Sequence, residues 1–225
     1  KIEAGCMIEN TLACIGTIIV DEEFINEMYL IAYEVKDDKS LVSLMSKIYN
    51  KIVDYFSSSI KNDKSRQQTY INNVVVDEDG LILGTKLSSL KGKNISQCSE
   101  KSIAAYIILE KLYSMGNITR KPSFVLSNMK TELSNPGPHA FVMLNKECDN
   151  PTKHLLFDVE NPTILEDTNK EKHCFVGLYS LTDEQNDNFI NGQECSPISL
   201  YEYMDDYKEI SEKRVYGNIK REKSL

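Results

Sequence analysis

Apolar positions in the first third of the chain recur at helical spacing. Phe24, Met28, Ile31 and Ala32 follow the acidic start Asp21-Glu22-Glu23, and Leu41, Leu44, Met45, Ile48, Ile52, Val53 and Phe56 repeat at intervals of three and four. Such spacing gathers the apolar side chains on one broad face and predicts two amphipathic helices. Ser57-Ser58-Ser59 and the polar residues 61–68 then read as a joint, a candidate domain boundary or connection. Upstream, residues 11–20 form an apolar run flanked by Glu3, Glu9 and Asp21 to Glu23. These acidic flanks fit a buried strand or helix segment better than a signal sequence. Beyond the joint the pattern changes to β-branched residues over 70–76, followed by Asp77-Glu78-Asp79-Gly80 and Leu81-Ile82-Leu83. Asp-Gly between apolar runs predicts a hairpin.

Residues 84–96 read as a polar loop. A helix is predicted over 102–115, where Ile103, Ala104, Ile107, Ile108 and Leu112 form an apolar stripe and Gly116-Asn117 supplies the stop. Two starts are open: Ser96 as the cap, with Cys98 in the first turn, or Ser99, with the thiol just outside. Three strands follow, at 140–144, 154–160 and 174–181, and the short polar turns between them favour an antiparallel meander. Pro162 prevents simple continuation of the second strand as a central one. Residues 200–207 suggest a short helix and 214–225 a loose tail. The fold class is α+β, with a mainly helical region over 1–69, a second unit over 70–213 and the tail.

Composition narrows the function classes. The 225 residues are 41% hydrophobic and carry a formal net charge of −8, which argues against general polyanion binding. The 12 tyrosines are scattered with no basic surface beside them, so no nucleic-acid partner is expected. No segment reaches the roughly 18 to 20 apolar residues of a membrane span, so no membrane insertion is expected. A cytoplasmic and a delivered or secreted protein are both compatible with this, and the oligomeric state is open. Lys1 is no initiator residue, which leaves a longer precursor or a trimmed chain open. The six cysteines, at 6, 14, 98, 148, 174 and 195, form no CxxC pair and favour reduced thiols. His154 and His173 with Cys148 or Cys174 make no compact ligand pattern. Asp149, Asp158, Glu160 and Asp167 lack calcium-loop spacing, and Gly84, Gly92 and Lys93 lack a phosphate-loop pattern. No cofactor or metal is expected.

One cysteine stands apart. Ser96-Gln97-Cys98-Ser99 precedes a well-patterned helix, and a helix amino end offers free N–H groups and a positive dipole end that favour negative sulfur. The same donors stabilise the oxyanion formed when sulfur attacks a carbonyl. Taken alone, a cysteine in this place is more often a packing residue. His139 follows the turn signal Pro136-Gly137-Pro138 at the start of a strand, where an imidazole can take the Cys98 proton or simply bond to backbone. Asp158 interrupts the apolar Leu155-Leu156-Phe157-Asp158-Val159. Alternation puts Leu156 and Asp158 on one side, within reach of His139 on an adjacent antiparallel strand. A buried carboxylate requires such a partner; a solvent-facing edge residue is the alternative.

Gln97-Cys98 before a helix, Pro138-His139-Ala140-Phe141 entering a strand and Leu155-Leu156-Phe157-Asp158 in the next resemble the transglutaminase-like branch of the papain-like cysteine protease superfamily. Asn161-Pro162-Thr163 loosely matches the residues after the family's acid strand. Ser96 and Ser99 stand where animal transglutaminases commonly carry glycine and tryptophan. The resemblance runs from Gln97 through Asn161 and implies that 70–213 is a catalytic domain in which a nucleophile-bearing helix packs on an antiparallel sheet. It implies a peptide or protein substrate and attack on a peptide or glutamine side-chain amide. Cys98 would form a thioester, His139 act as base then acid, and Asp158 orient it, with Cys98, Gln97 and Asn94 as oxyanion donor candidates. The lack of any tryptophan and the short chain favour hydrolysis or deamidation over cross-linking. The alternative is a noncatalytic protein-binding module that retains the fold.

Overall fold

The computed structural model describes residues 1–9, 17–57, 63–131, 134–144, 155–161, 163–166, 172–175, 178–180 and 198–199. Expectations for 11–16, 58–62, 145–154, 181, 200–207 and 214–225, and for Cys14, Cys148, His154, Pro162 and Cys195, lie outside them.

Where the helical repeat is read, helices α1 (Glu22–Val35) and α2 (Leu41–Phe56) form. Phe24, Met28, Ile31 and Ala32 on the first and Leu44, Met45, Ile48, Ile52 and Phe56 on the second are buried, as the spacing demands. Ser40 caps α2 through its side chain, which accepts from the Ser43 N–H, and Ser57 ends the helix in the left-handed region at φ 51°.

The next segment departs from expectation. Residues 63–72 form α3 (Asp63–Asn72), so the polar joint is shorter and Tyr70 and Ile71 are helical rather than extended. Lys64, Arg66, Gln67 and Gln68 are good helix formers. The helix turns Tyr70 inward, where it is buried, and this tertiary anchor outweighs the strand preference of the β-branched residues after it. The hairpin is β3 (Val74–Val76) and β4 (Ile82–Lys86), joined through Gly80 at φ 80°. With β1 (Met7–Glu9) and β2 (Thr17–Ile19) they make a sheet in the order β1-β2-β4-β3, in which only β2 and β4 run parallel. The apolar run at 11–20 thus ends in a strand, with Ile18 and Val20 fully buried.

Helix α4 (Cys98–Ser114) packs against α1 and α2 on one side and against β5 (Pro122–Thr131) and β6 (Ser134–Leu144) on the other. Enclosed this way, it has no solvent stripe: every residue from Ser99 to Leu109 is buried. Its apolar residues join those of α1, α2, β6 and β7 (Leu155–Phe157) in one continuous core, from Ile18 to Val159.

The sheet under α4 has the order β11-β10-β7-β6-β5, with β10 at Leu178–Ser180 and β11 at Ile198–Ser199, and every neighbouring pair is antiparallel. The fold is therefore mixed α+β, with a helix laid on an antiparallel sheet. Three strand expectations are corrected. Pro136-Gly137-Pro138 is no turn but part of β6, paired with β5, and β5 is an additional strand. The second strand, Leu155–Phe157, ends three residues short of Glu160. The third divides into β9 (Lys172–Phe175), which pairs with β8 (Thr163–Glu166) in a separate two-stranded sheet, and β10 in the main one. Prolines two residues apart lack their N–H on the same edge of a strand. Within β6 that is tolerable because the β7 pairing covers only Val142 to Leu144. Among the described residues no helix is long and apolar enough to cross a membrane.

Candidate active site

The first turn of α4 is built with unusual care for a helix end. Gln97 is the N-cap and Cys98 the first helical residue; Ser96, the sequence candidate for the cap, is buried with no partner for its hydroxyl among the described residues. Glu100 returns its Oε2 to the Gln97 N–H at 2.9 Å, and the Gln97 side chain completes a capping box. Glu100 is fully buried, and its other oxygen accepts from the Tyr70 hydroxyl of α3. The opposite face of the same turn carries Cys98, Lys101 and Ser102, three and four residues apart and so side by side. The Ser102 hydroxyl donates to the Ala140 carbonyl of β6 at 2.8 Å, and Lys101 Nζ lies 2.6 Å from Glu160 Oε2. Cys98 is partly exposed within this otherwise buried turn.

His139 and Asp158 come from neighbouring strands. The β6–β7 register pairs Val142 with Phe157, and one further step sets Asp158 opposite Phe141, on the face that also carries His139. β7 stops there because the chain curls around the carboxylate: Asp158 Oδ1 accepts the N–H groups of Glu160 at 3.0 Å and Asn161 at 3.3 Å. Asp158 Oδ2 takes the His139 Nε2–H at 2.6 Å and the Asn161 Nδ2–H at 2.8 Å. Asn161 Nδ2 also lies 3.3 Å from His139 Nε2, and Cys98 is near enough to this imidazole to favour its proton. The Phe141 ring lies beside it, centroids 6.1 Å apart.

The electrostatics follow from burial and pairing. Burial, the largest single influence on His139, disfavours its cation, but the Asp158 charge and hydrogen bond, aided by Cys98, outweigh it. The proton affinity of the ring is raised well above the ordinary 6.5. For Asp158 burial again opposes charge, while His139, Asn161 and the Glu160 N–H together hold its pKa below 3.8. A carboxylate beside an imidazolium is thus the favoured state of this pair.

Of the proposed oxyanion donors, the capping box occupies the N–H groups of Gln97 and Glu100 but not that of Cys98. The Gln97 carboxamide is drawn over the first turn as half of the box. Asn94 sits in the loop before the helix at φ 58°, with its N–H bonded to the Phe56 carbonyl at 2.9 Å. Cys6 lies elsewhere, its sulfur accepting from the Glu3 N–H at 3.3 Å. His173 and Cys174 are on β9. Among the described residues no group of three or more His, Cys, Asp or Glu is placed to hold a metal ion. Two residues in the sheath of the site, Lys101 and Glu160, carry no sequence signal, because a charged residue on a helix and one after a strand both read as solvated. Comparison with protein-family models, curated proteins and solved structures gives no match for this chain.

Proposed function

We propose that this protein is a cysteine-dependent hydrolase or acyl transferase of transglutaminase-like or papain-like type, acting on a peptide or glutamine side-chain amide. The observation that carries the reading is the 2.6 Å bond from His139 Nε2 to buried Asp158, on an imidazole whose proton affinity is also raised by the partly exposed Cys98 at the start of α4. In this reading the Cys98 sulfur attacks the amide carbonyl, and the Cys98 N–H faces the oxyanion. His139 then gives its proton to the departing ammonia or amine, leaving a thioester, and afterwards takes a proton from water as the thioester is cleaved. Asp158 holds the ring in the required tautomer. The chain order, with the thiol on a helix and the base and acid on successive strands, also supports the family reading. Hydrolysis or deamidation is favoured over cross-linking.

The test is selective alkylation. Iodoacetamide near neutral pH should label Cys98 faster than the similarly exposed Cys6, and His139→Ala should remove that advantage. Wild type should release ammonia from a glutamine-containing peptide or cleave a peptide panel, and Cys98→Ala should not. Equal labelling of both cysteines, unchanged by His139→Ala, overturns the enzyme reading. A partner captured equally well by Cys98→Ala, with no amide turnover, favours a binding module.

A further inference from the structure

The first turn of α4 and the turn that follows β7 hold one another through a buried ion pair that the proposed chemistry does not itself use. Lys101 Nζ and Glu160 Oε2 are 2.6 Å apart, and their side chains are only 6% and 8% exposed. Lys101 lies three residues beyond Cys98, on the same helix face. Glu160 lies two residues beyond Asp158, and its N–H is bonded to the Asp158 carboxylate. The pair therefore spans from the helix that carries the thiol to the turn that shapes the acid, alongside the route from Cys98 through His139 to Asp158. Ser102 pins the same helix face to Ala140, the residue after His139. Such a pair is a poor device for stability, since apolar residues of similar volume often serve as well or better. Its length and direction are what an apolar contact lacks.

We propose that Lys101 and Glu160 are positioning residues that set the spacing between the nucleophile turn and the acid turn and so keep Cys98 in contact with His139. This rests on the reading of Cys98 as the reactive thiol. The Lys101 ammonium reaches past the first turn, and the Glu160 carboxylate fixes where it stops. Glu100, the other charged residue of that turn, is directed instead to Tyr70 and the capping N–H.

The experiment measures the rate of Cys98 alkylation by iodoacetamide across a pH series in the full chain, alongside the melting temperature. The variants are Lys101→Met, Glu160→Gln, the double variant Lys101→Met/Glu160→Leu, and His139→Ala as reference. The double variant should melt within a few degrees of wild type. Its Cys98 should nonetheless react on the order of tenfold to a hundredfold more slowly, with a pH profile moved onto that of His139→Ala. Glu160→Gln, which keeps an acceptor at the same reach, should retain most of the wild-type rate. Should Lys101→Met fail to fold, these last two variants decide the matter. A double variant that folds and keeps the wild-type rate and profile overturns the proposal and leaves the pair a packing element. If His139→Ala leaves the profile of Cys98 unchanged in the otherwise native chain, the enzyme reading fails, and the positioning role fails with it.

Discussion

Asp158→Asn isolates the electrostatic part of the site with almost no change in shape. The carboxylate is 1% exposed and accepts four hydrogen bonds, two at each oxygen. An asparagine can keep its oxygen towards the Glu160 and Asn161 N–H groups. Its amide nitrogen then faces two donors, His139 Nε2–H and Asn161 Nδ2–H, so both bonds on that side are lost. A hydrogen bond to a charged group contributes about 1.5–3 kcal/mol, and of the two bonds lost the one from His139 stabilises the imidazolium. Removing it should lower the proton affinity of His139 from its raised value and weaken the cation beside sulfur. At about 1.4 kcal/mol per decade, the Cys98 alkylation rate near neutral pH should fall about tenfold to a hundredfold. The assay is pseudo-first-order labelling with iodoacetamide, read by peptide mass at Cys98 and at Cys6 as internal reference. The His139 ring titration, resolved by NMR among only three histidines, should move down in parallel. A variant with native melting behaviour, a wild-type Cys98 rate and an unmoved His139 titration would refute the reasoning. So would an equal slowing at Cys6.

The pH dependence of stability has a definite sign. His139 binds its proton more tightly folded than unfolded, so its contribution is complete below about 6.5 and is lost as pH rises through the raised folded value. Asp158 holds its proton less tightly when folded, so its contribution is present above about 4 and is lost as pH falls through the lowered folded value. The melting-temperature gap between wild type and His139→Ala/Asp158→Ala should therefore be widest between about pH 4 and 6.5 and shrink on both sides. Gly84→Ala should destabilise by about 1–3 kcal/mol in urea unfolding, because a Cβ there meets the Thr17 carbonyl oxygen at 2.5 Å and the φ of +148° suits glycine. Ser57→Gly should instead stabilise by about 0.5–1 kcal/mol in the same assay, since it relieves a left-handed serine at the end of α2.

How far the sequence reveals the fold depends on how each segment is covered. α1 and α2 are half covered, so Phe24, Met28, Ile48 and Ile52 leave a periodic trace. α4 is covered all round from Ser99 to Leu109, and its start is obscured because Ser99, Glu100, Lys101 and Ser102 are polar yet buried. α3 is obscured for the opposite reason, since its polar residues resemble a linker and, among its described side chains, only Tyr70 is buried. β5 and the proline-bearing start of β6 pair mainly with each other, and backbone pairing leaves little mark on composition. The candidate site is more legible. Cys98 precedes an apolar helix, and His139 and Asp158 adjoin apolar strands, so each polar group is conspicuous. Asn161 shows only as part of a short match, and Lys101 and Glu160 not at all, because their burial is created by each other.

The enclosure of α4 bears on how this molecule can change. From Ser99 to Leu109, with α1 and α2 above and a sheet below, the helix has no face on which substitutions are free. Through Glu100 and Tyr70, its first turn is also tied to the end of α3. The hydrogen-bonded amides of that turn, those of Gln97, Glu100 and Lys101, should therefore exchange with solvent only when the core opens as a whole, which seats the thiol on a slowly opening part of the chain. Variation in what the protein recognises is left to segments away from this helix. Divergence would rewrite the rim and spare the turn.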